Sequence, residues 1–415
     1  MNLAKTSVLS FIATVIKMLS AIVINKAVAV FIGPAGLALI GQYQNFSQLA
    51  MIAAKGAINN GVTKYTSEYG RNDARLPILF STAAKISISC SCSVAIVLVA
   101  FSSWLSAELL KSREFTYIFV ILGFTIILFT LNSLLLSILN GLKEIKTFIS
   151  INILQSIYSL IFTSVLIVTL ELDGALIAMV TNQSVVFFVV LYMLRRHELI
   201  KLKYFTLPFS NTEGRKLFKY ALMAITTALT APVSHIFIRN YLVENFGWDQ
   251  AGYWQAIWYI SSMYLMVVTT SLSIYYLPRL SEITDKYELR KEVFSGYKLI
   301  LPLVALLALT VYIIREFIVW LLFSQDFGAV IELFKWQLIG DVIKVSAWIL
   351  SFVMLAKAMT KIYIVTEITF SVTFVLLSIY FASTYGIVGV TYAYFINYVL
   401  YLVTMIIVMK KQLEF

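Results

Sequence analysis

Charge, histidine and cysteine are all scarce in this chain of 415 residues: 13% of it is Asp, Glu, Lys or Arg, and it holds two His and two Cys. A soluble domain carries about 25% charged and about 45–50% apolar residues. Here 60% of the residues are hydrophobic and the mean hydropathy is +0.88. One globule cannot enclose that surplus, so the solvent is lipid. The shortage of His and Cys leaves no ligand set for a transition metal. Cys90 and Cys92 stand two positions apart in one apolar run, about 200° apart around a helix, which excludes a disulfide between them. No phosphate-binding loop, dinucleotide fingerprint or nucleophile elbow is present, so catalysis is not expected. Acids are the scarcer sign, 21 against 32 Lys and Arg, for a formal net charge of +11. These cations fall singly between apolar runs and form no basic stripe with base-edge readers, so nucleic acid is not a partner. A cytoplasmic-side excess of Lys and Arg accounts for them.

Ala27-Val28-Ala29 imitates a signal-peptide cleavage site. Lys17 interrupts the apolar run before it and Phe31-Ile32 continue that run, which predicts an uncleaved first span. A span needs ~20 mostly apolar residues to cross ~30 Å of hydrocarbon. Runs of that length predict helices over 7–32, 36–60, 76–102, 115–139, 148–170, 174–194, 217–239, 251–277, 297–323, 329–356, 362–383 and 387–409. The fold class is therefore an all-α polytopic membrane protein with about twelve transmembrane helices. With the N-terminus inside, the cytoplasmic segments hold twenty cations, from Lys5 through Arg196 to Lys410 and Lys411, against three outside, Lys111, Arg113 and Arg239. That asymmetry places both termini in the cytoplasm. The polar connection 195–216 divides the spans six and six. It predicts an N-terminal six-helix bundle over 1–194, a cytoplasmic connecting loop over 195–216 and a C-terminal six-helix bundle over 217–415. Gly33-Pro34-Ala35-Gly36 followed by Gln42 is echoed by Trp248-Asp249-Gln250-Ala251-Gly252 followed by Gln255. Two halves of parallel topology suit a rocking-bundle transporter.

Nine cations stand inside the apolar runs: Lys17, Lys26, Lys55, Lys85, Lys219, Lys298, Arg315, Lys335 and Lys344. A charge at the bilayer centre costs at least ~2.5–3.5 kcal/mol on insertion scales. Lys26, Arg315 and Lys335 lie near outer helix ends, where a long stem snorkels to the interface. Lys219 and Lys298 lie near cytoplasmic starts and either snorkel or line a cavity. Lys17 sits ~15 Å into the first helix, on a face shared with Ser7, Ser10, Thr14, Ala21 and Asn25, so it is expected to line a cavity. On the tenth helix Gln337, Asp341, Lys344, Trp348 and Ser351 share one face. Asp341 and Lys344 either neutralise one another as a structural pair or line the cavity and part when ligand or a proton arrives. Glu367 is a proton-coupling candidate or a partner of Lys361. Pro232 predicts a kink in the seventh helix, near His235 and Arg239, with Thr226, Thr227, Thr230 and Ser234 able to satisfy freed backbone groups. Cations outnumber the acids Glu316, Glu332, Asp341 and Glu367 in these runs. A cavity of that balance attracts an anion, and phosphate esters are the obvious anions at a membrane.

Asn60-Gly61-Val62-Thr63-Lys64-Tyr65 and Trp336-Gln337-Leu338-Ile339-Gly340-Asp341-Val342-Ile343-Lys344 resemble segments of the Wzx-type flippases. So do Gly33-Pro34-Ala35-Gly36-Leu37, Trp248-Asp249, Tyr276-Leu277-Pro278 and Ala356-Lys357. The resemblance covers essentially the whole chain, and the tenth-helix segment is its most specific part. That family moves undecaprenyl-diphosphate-linked oligosaccharides for O-antigen and enterobacterial common antigen. It belongs to the multidrug/oligosaccharidyl-lipid/polysaccharide exporter superfamily, whose MATE-like fold is two six-helix bundles around a cleft. The resemblance implies that Lys17, Lys26, Arg239, Lys298, Arg315 and Lys344 are the cavity cations for the diphosphate, and that Asp341 and Glu367 serve coupling or ion pairing. Lys357 belongs to the pattern and Lys55 does not. The implied function is flipping of an O-antigen-type unit across the bacterial inner membrane by alternating access, with lipid III as the alternative cargo. No cofactor is implied beyond coupling to H⁺ or Na⁺. The implied partners are the polyprenyl-diphosphate-linked oligosaccharide, membrane lipid, an O-antigen polymerase and a chain-length regulator. A multidrug exporter of the superfamily needs intramembrane acids where the first helix has Lys17. A polymerase or ligase needs a large outer loop, and a peptidoglycan-precursor flippase two extra helices.

Overall fold

A computed structural model describes residues 3–195, 197–198, 200–272, 276–283, 285–357 and 359–413. Arg196 lies outside the described residues, as do the side chains of Lys5, Ser7, Ser10, Thr14, Lys219, Thr226, Thr227 and Lys411. Within them the secondary structure is helical, without strands. The helices are α1 (Leu3–Phe31), α2 (Gly33–Ala54), α3 (Asn59–Tyr69), α4 (Leu76–Ala100), α5 (Ser102–Leu110), α6 (Thr116–Gly141), α7 (Ile145–Leu194) and α8 (Asn211–Phe246). Then follow α9 (Trp248–Ser271), α10 (Leu277–Glu282), α11 (Lys286–Ile313), α12 (Arg315–Leu322), α13 (Val330–Ala356), α14 (Thr360–Tyr385) and α15 (Ile387–Leu413). Among the described residues, seven helices pass a strict test of length and apolarity for crossing a membrane. One of the seven, α7, holds two of the expected spans. Each of the twelve expected runs falls on α1, α2, α4, α6, one half of α7, α8, α9, α11, α13, α14 or α15.

The boundaries differ from the apolar runs where local chemistry intervenes. The run 36–60 stops at Ala54, because Gly56 (φ 60) and Ala57 (φ 51) turn the chain before α3. The runs 148–170 and 174–194 join in α7 around Glu171 (φ 48, ψ −122), and Asn182 Nδ2 donates to Ser159 Oγ between the two halves. The run 297–323 begins at Lys286, since the Asp285 side chain caps α11 by accepting from the Glu288 amide at 2.8 Å. Asp at the N-cap with Glu three residues on is a start signal that hydropathy cannot see. The same run breaks at Ile314, where α12 begins. Exposed apolar stripes mark lipid-facing sides: Leu299, Leu303, Leu306 and Ile313 on α11, and Val365, Ile368, Val372 and Leu376 on α14. Spacings of three, four and seven keep each set on one face of its helix.

The chain forms two compact units, Met1–Ile32 with Gln42–Pro232, and Gly33–Gly41 with Val233–Phe415. In the first, α7 packs on α1 and α6, and α6 packs on α3 and α4. Its core joins Ile58, Val62, Leu79, Phe80, Ala83, Leu134 and Ile138. In the second, α13 is surrounded by α9, α10, α11, α14 and α15, with Val304, Val345, Ile349, Val353, Tyr401 and Met405 among its core residues. The start of α2 belongs to this second unit through a backbone contact. A Cβ on Gly252 of α9 would lie 2.0 Å from the Pro34 carbonyl oxygen, so only glycine allows the approach. The Gly33–Gly36 and Trp248–Gly252 segments are thus packing partners as well as echoes. Helix α8 runs through Pro232, and the two units divide there.

Candidate functional site

The tenth-run stripe forms the centre of the second unit. On α13, Gln337 is 1% exposed, Asp341 0% and Lys344 8%. Helix α9 brings Trp258 and Tyr264 to this face, and α15 brings Tyr394 and Tyr398. Asp341 accepts the Tyr264 hydroxyl at 2.6 Å and the Tyr394 hydroxyl at 2.7 Å. Tyr394 reaches it because residue 340 is glycine: a Cβ there would meet Tyr394 Cδ1 at 2.5 Å. The Lys344 ammonium lies 4.9 Å from the Trp258 ring centroid, 4.8 Å from Trp348, 5.4 Å from Tyr394 and 5.1 Å from Tyr398. All four fall within the ~6 Å at which a ring's negative face attracts a cation.

Among the described residues no ion pair within 4.0 Å joins Lys344 to Asp341. The carboxyl is held by hydroxyls and the ammonium by rings. Ring faces take no N–H in a strong hydrogen bond, so the ammonium keeps its donors for a ligand. Lys344, Trp258, Trp348 and Tyr394 open onto a cavity of about 260 Å³, together with Ser261, Ser262 and Thr269. An anion is the ligand such a wall is built to take.

Arg239 and His235 approach the same aromatic system from α8. Arg239 is 0% exposed, lies 5.4 Å from the Trp254 ring and donates to the Gln255 carboxamide oxygen. His235 packs edge-on at 5.3 Å to Trp254 and 4.2 Å to Trp258. Glu367 on α14 accepts the Tyr401 hydroxyl at 2.9 Å, and so is held by a phenol instead of by exposed Lys361. The second unit therefore gathers Arg239, Asp341 and Lys344 around one set of rings, with Glu367 on a neighbouring tyrosine.

The other expected cations stand apart from that cluster. Lys298 is exposed on α11 beside Arg290, Lys291 and Phe294. Half-buried Arg315 donates to the Tyr312 carbonyl at 2.8 Å and stacks on its ring at 4.5 Å. Lys26 is half-buried on α1. Lys17, in the first unit, lines a cavity of about 580 Å³ walled by serines and carboxamides. Lys357 caps α10 by donating to the Leu280 carbonyl at 2.9 Å and to that of Ile283, a structural use of a cation at a helix C-terminus. Lys55 lies 4.6 Å from the Phe129 ring, and Lys85 donates to the Leu207 carbonyl at 2.7 Å.

Reading the sequence by its charges missed the aromatic partners Trp258, Tyr264, Tyr394 and Tyr398. A signal existed in their spacing: Trp254 and Trp258, like Tyr394, Tyr398 and Tyr401, recur at three and four residues. It is indistinguishable from ordinary core packing until the lysine is seen among them.

Long helices with lipid-facing stripes and a buried ionic cluster define a multi-pass α-helical membrane transporter. Its fold is that of the MATE transporters: an inward-facing multidrug resistance MATE family transporter of the MOP superfamily superposes with a TM-score of 0.80 at 12% identity, covering 96% of each chain. The lipid II flippase MurJ in an inward closed conformation gives 0.74 at 14% identity, over 98% of this chain and 87% of that one. The chain belongs to the polysaccharide biosynthesis protein family, whose pattern matches residues 3–284. It is 31% identical to the lipid III flippase of Escherichia coli (strain K12) over 405 residues, 97% of this chain and 96% of the relative. It is a multi-pass protein of the inner membrane.

Proposed function

We propose that this chain is a flippase that carries undecaprenyl-diphosphate-linked oligosaccharides from the cytoplasmic to the periplasmic leaflet by alternating access. The observation that carries the reading is the likeness to the lipid III flippase over nearly the full length of both chains. Its work is transport, with no bond made or broken. The buried Lys344 among four rings supports it as the docking point for the diphosphate. A diphosphate leaving water needs a replacement for its hydration, and an ammonium fixed on its stem by ring faces supplies charge and hydrogen bonds together. Asp341 and Glu367 are the carboxyls we assign to coupling with H⁺ or Na⁺, since both are held by hydroxyls that allow a change of charge without breaking an ion pair.

The cargo is either an O-antigen-type repeat unit, delivered to a polymerase and chain-length regulator, or lipid III; the named relative favours the second. Reconstitution in liposomes with each lipid, with and without an ion gradient, tests the reading. Expected is movement of one of the two lipids across the bilayer that Lys344→Gln abolishes. Absence of translocation of both lipids by the wild-type protein overturns it.

A further inference from the structure

We infer that the cavity of the first unit is a glycan-recognition site, which selects the sugar portion of the cargo by neutral hydrogen bonding. This inference rests on the flippase reading above and deepens it. The cavity of about 580 Å³ lies between α1, α6 and both halves of α7. Ligand sites run about 300–1,000 Å³, so it has room for sugar rings. Its polar wall consists of the carboxamides of Asn152, Gln155 and Asn182 and the hydroxyls of Ser20, Ser133, Ser156 and Ser159, with Lys17 as the one charged lining residue among the described residues. Asn152, Gln155 and Ser159 stand three and four residues apart on the first half of α7, so they form one continuous polar face.

Neither lipid nor simple helix packing explains the whole of that face. Hydrocarbon does not accommodate a row of carboxamides. Asn152 Nδ2 donates to the Phe148 carbonyl at 2.8 Å, Ser133 Oγ accepts from Asn59 Nδ2 at 2.7 Å, and Asn182 Nδ2 donates to Ser159 Oγ, but the buried Asn182 Oδ1 has no partner among the described residues. Gln155 is half-buried and makes no hydrogen bond among the described residues. A buried acceptor without a partner in the folded chain points to a partner from outside it.

The chemistry selects the class of that partner. This wall sets one exposed lysine among seven uncharged polar side chains, a balance that suits hydroxyls and amides better than a diphosphate. A carboxamide offers two N–H donors and an acceptor oxygen on one rigid plane. A pair of neighbouring sugar hydroxyls, each both donor and acceptor, matches that plane. Phe148 adds an apolar surface for the C–H face of a ring. The second unit's lysine and rings read charge; this cavity reads hydroxyls and amides.

The test uses the purified full-length protein and three lipids: undecaprenyl diphosphate, lipid III, and an undecaprenyl-diphosphate-linked O-antigen repeat unit. The expected result is that wild type binds one of the glycan-bearing lipids at least about tenfold more tightly than the bare diphosphate. Gln155→Leu and Asn182→Leu each remove that advantage while leaving affinity for undecaprenyl diphosphate within about twofold of wild type. Lys344→Gln weakens binding of all three. Gln155 makes no hydrogen bond among the described residues, so its variant keeps the wild-type melting temperature even if Asn182→Leu does not. Equal affinity of wild type for the three lipids overturns the glycan site alone. So does a Gln155→Leu variant that folds and keeps the full glycan advantage. Failure of all three lipids to bind overturns the flippase reading, and the glycan site with it.

Discussion

Lys344 and Asp341 are three residues apart, yet among the described residues no ion pair within 4.0 Å joins them: the carboxyl bonds to tyrosines of α9 and α15, and the ammonium lies among rings of α9, α13 and α15. That changes what single substitutions should do. In a buried ion pair, loss of one partner strands the other and costs ~3–5 kcal/mol. Here Lys344→Gln leaves Asp341 with both tyrosine hydroxyls and removes cation–ring attraction of about 0.5–2 kcal/mol. The single variant should therefore melt within a few degrees of Asp341→Asn/Lys344→Gln in detergent, and both should be inactive in surface-glycan complementation. A large stability deficit in the single variant, repaired in the double, would restore the ion-pair view. Tyr394→Phe removes one donor from a buried acceptor and should cost about 1–3 kcal/mol. Gly340→Ala pushes at the same ring from α13, so its melting temperature should fall at least as far, with the total helicity unchanged by circular dichroism.

At the scale of elements, α3 is tied to the start of α8 by three side chains near the cytoplasmic surface. Lys216 donates to Glu213 Oε1 at 2.8 Å and to the Tyr69 hydroxyl at 2.7 Å, and that hydroxyl donates to Glu213 Oε2 at 2.7 Å. Glu213, first, and Tyr69 hold the Lys216 ammonium above the ordinary lysine range. A raised folded value means that this contribution is complete below about 10.4, the unfolded value, and is lost as pH rises through the higher folded one. The melting-temperature gap between wild type and Glu213→Gln should stay constant from neutral pH to about pH 10 and narrow above it. A gap that narrows towards acid instead would assign the tie to a group other than Lys216. Element by element, hydropathy located the spans because lipid imposes a length on every one of them. It misplaced the start of α11, since an Asp N-cap with charged residues behind it is helical without being apolar. It also ran α2 on past Lys55, where two positive φ angles end the helix.

For the whole molecule, cation asymmetry predicts sidedness independently of any contact. A reporter fused after residue 205 should be cytoplasmic, and one inserted near Asp173 periplasmic; reversal at either point would contradict the twelve-span arrangement. The division of the chain was less visible. A polar connection at 195–216 is what the sequence displays, while the compact units part at Pro232 and exchange the segment Gly33–Gly41. Hydropathy carries no record of that exchange, which depends on a missing side chain at Gly252. The candidate site was legible where it is charged, at Asp341, Lys344, Arg239 and Glu367. It was silent where it is aromatic, because Tyr264 and Tyr394 look like packing residues until the fold of the second unit sets them beside Asp341; Asn152 and Gln155 of the first unit look the same until α7 lines a cavity with them.

The contact of Pro34 with Gly252 also has a place in time. Synthesis proceeds at about 5–20 residues per second, so the start of α2 waits on the order of 10–40 s for its partner to be made. During that interval the first unit's helices insert in order, while the segment Gly33–Gly41 has nothing of its own unit to pack against. Adding a side chain at Gly252 would therefore damage a late step of assembly more than an early one. The expected product is a protein fully inserted at every span, with its first unit intact and its second unit open to proteases.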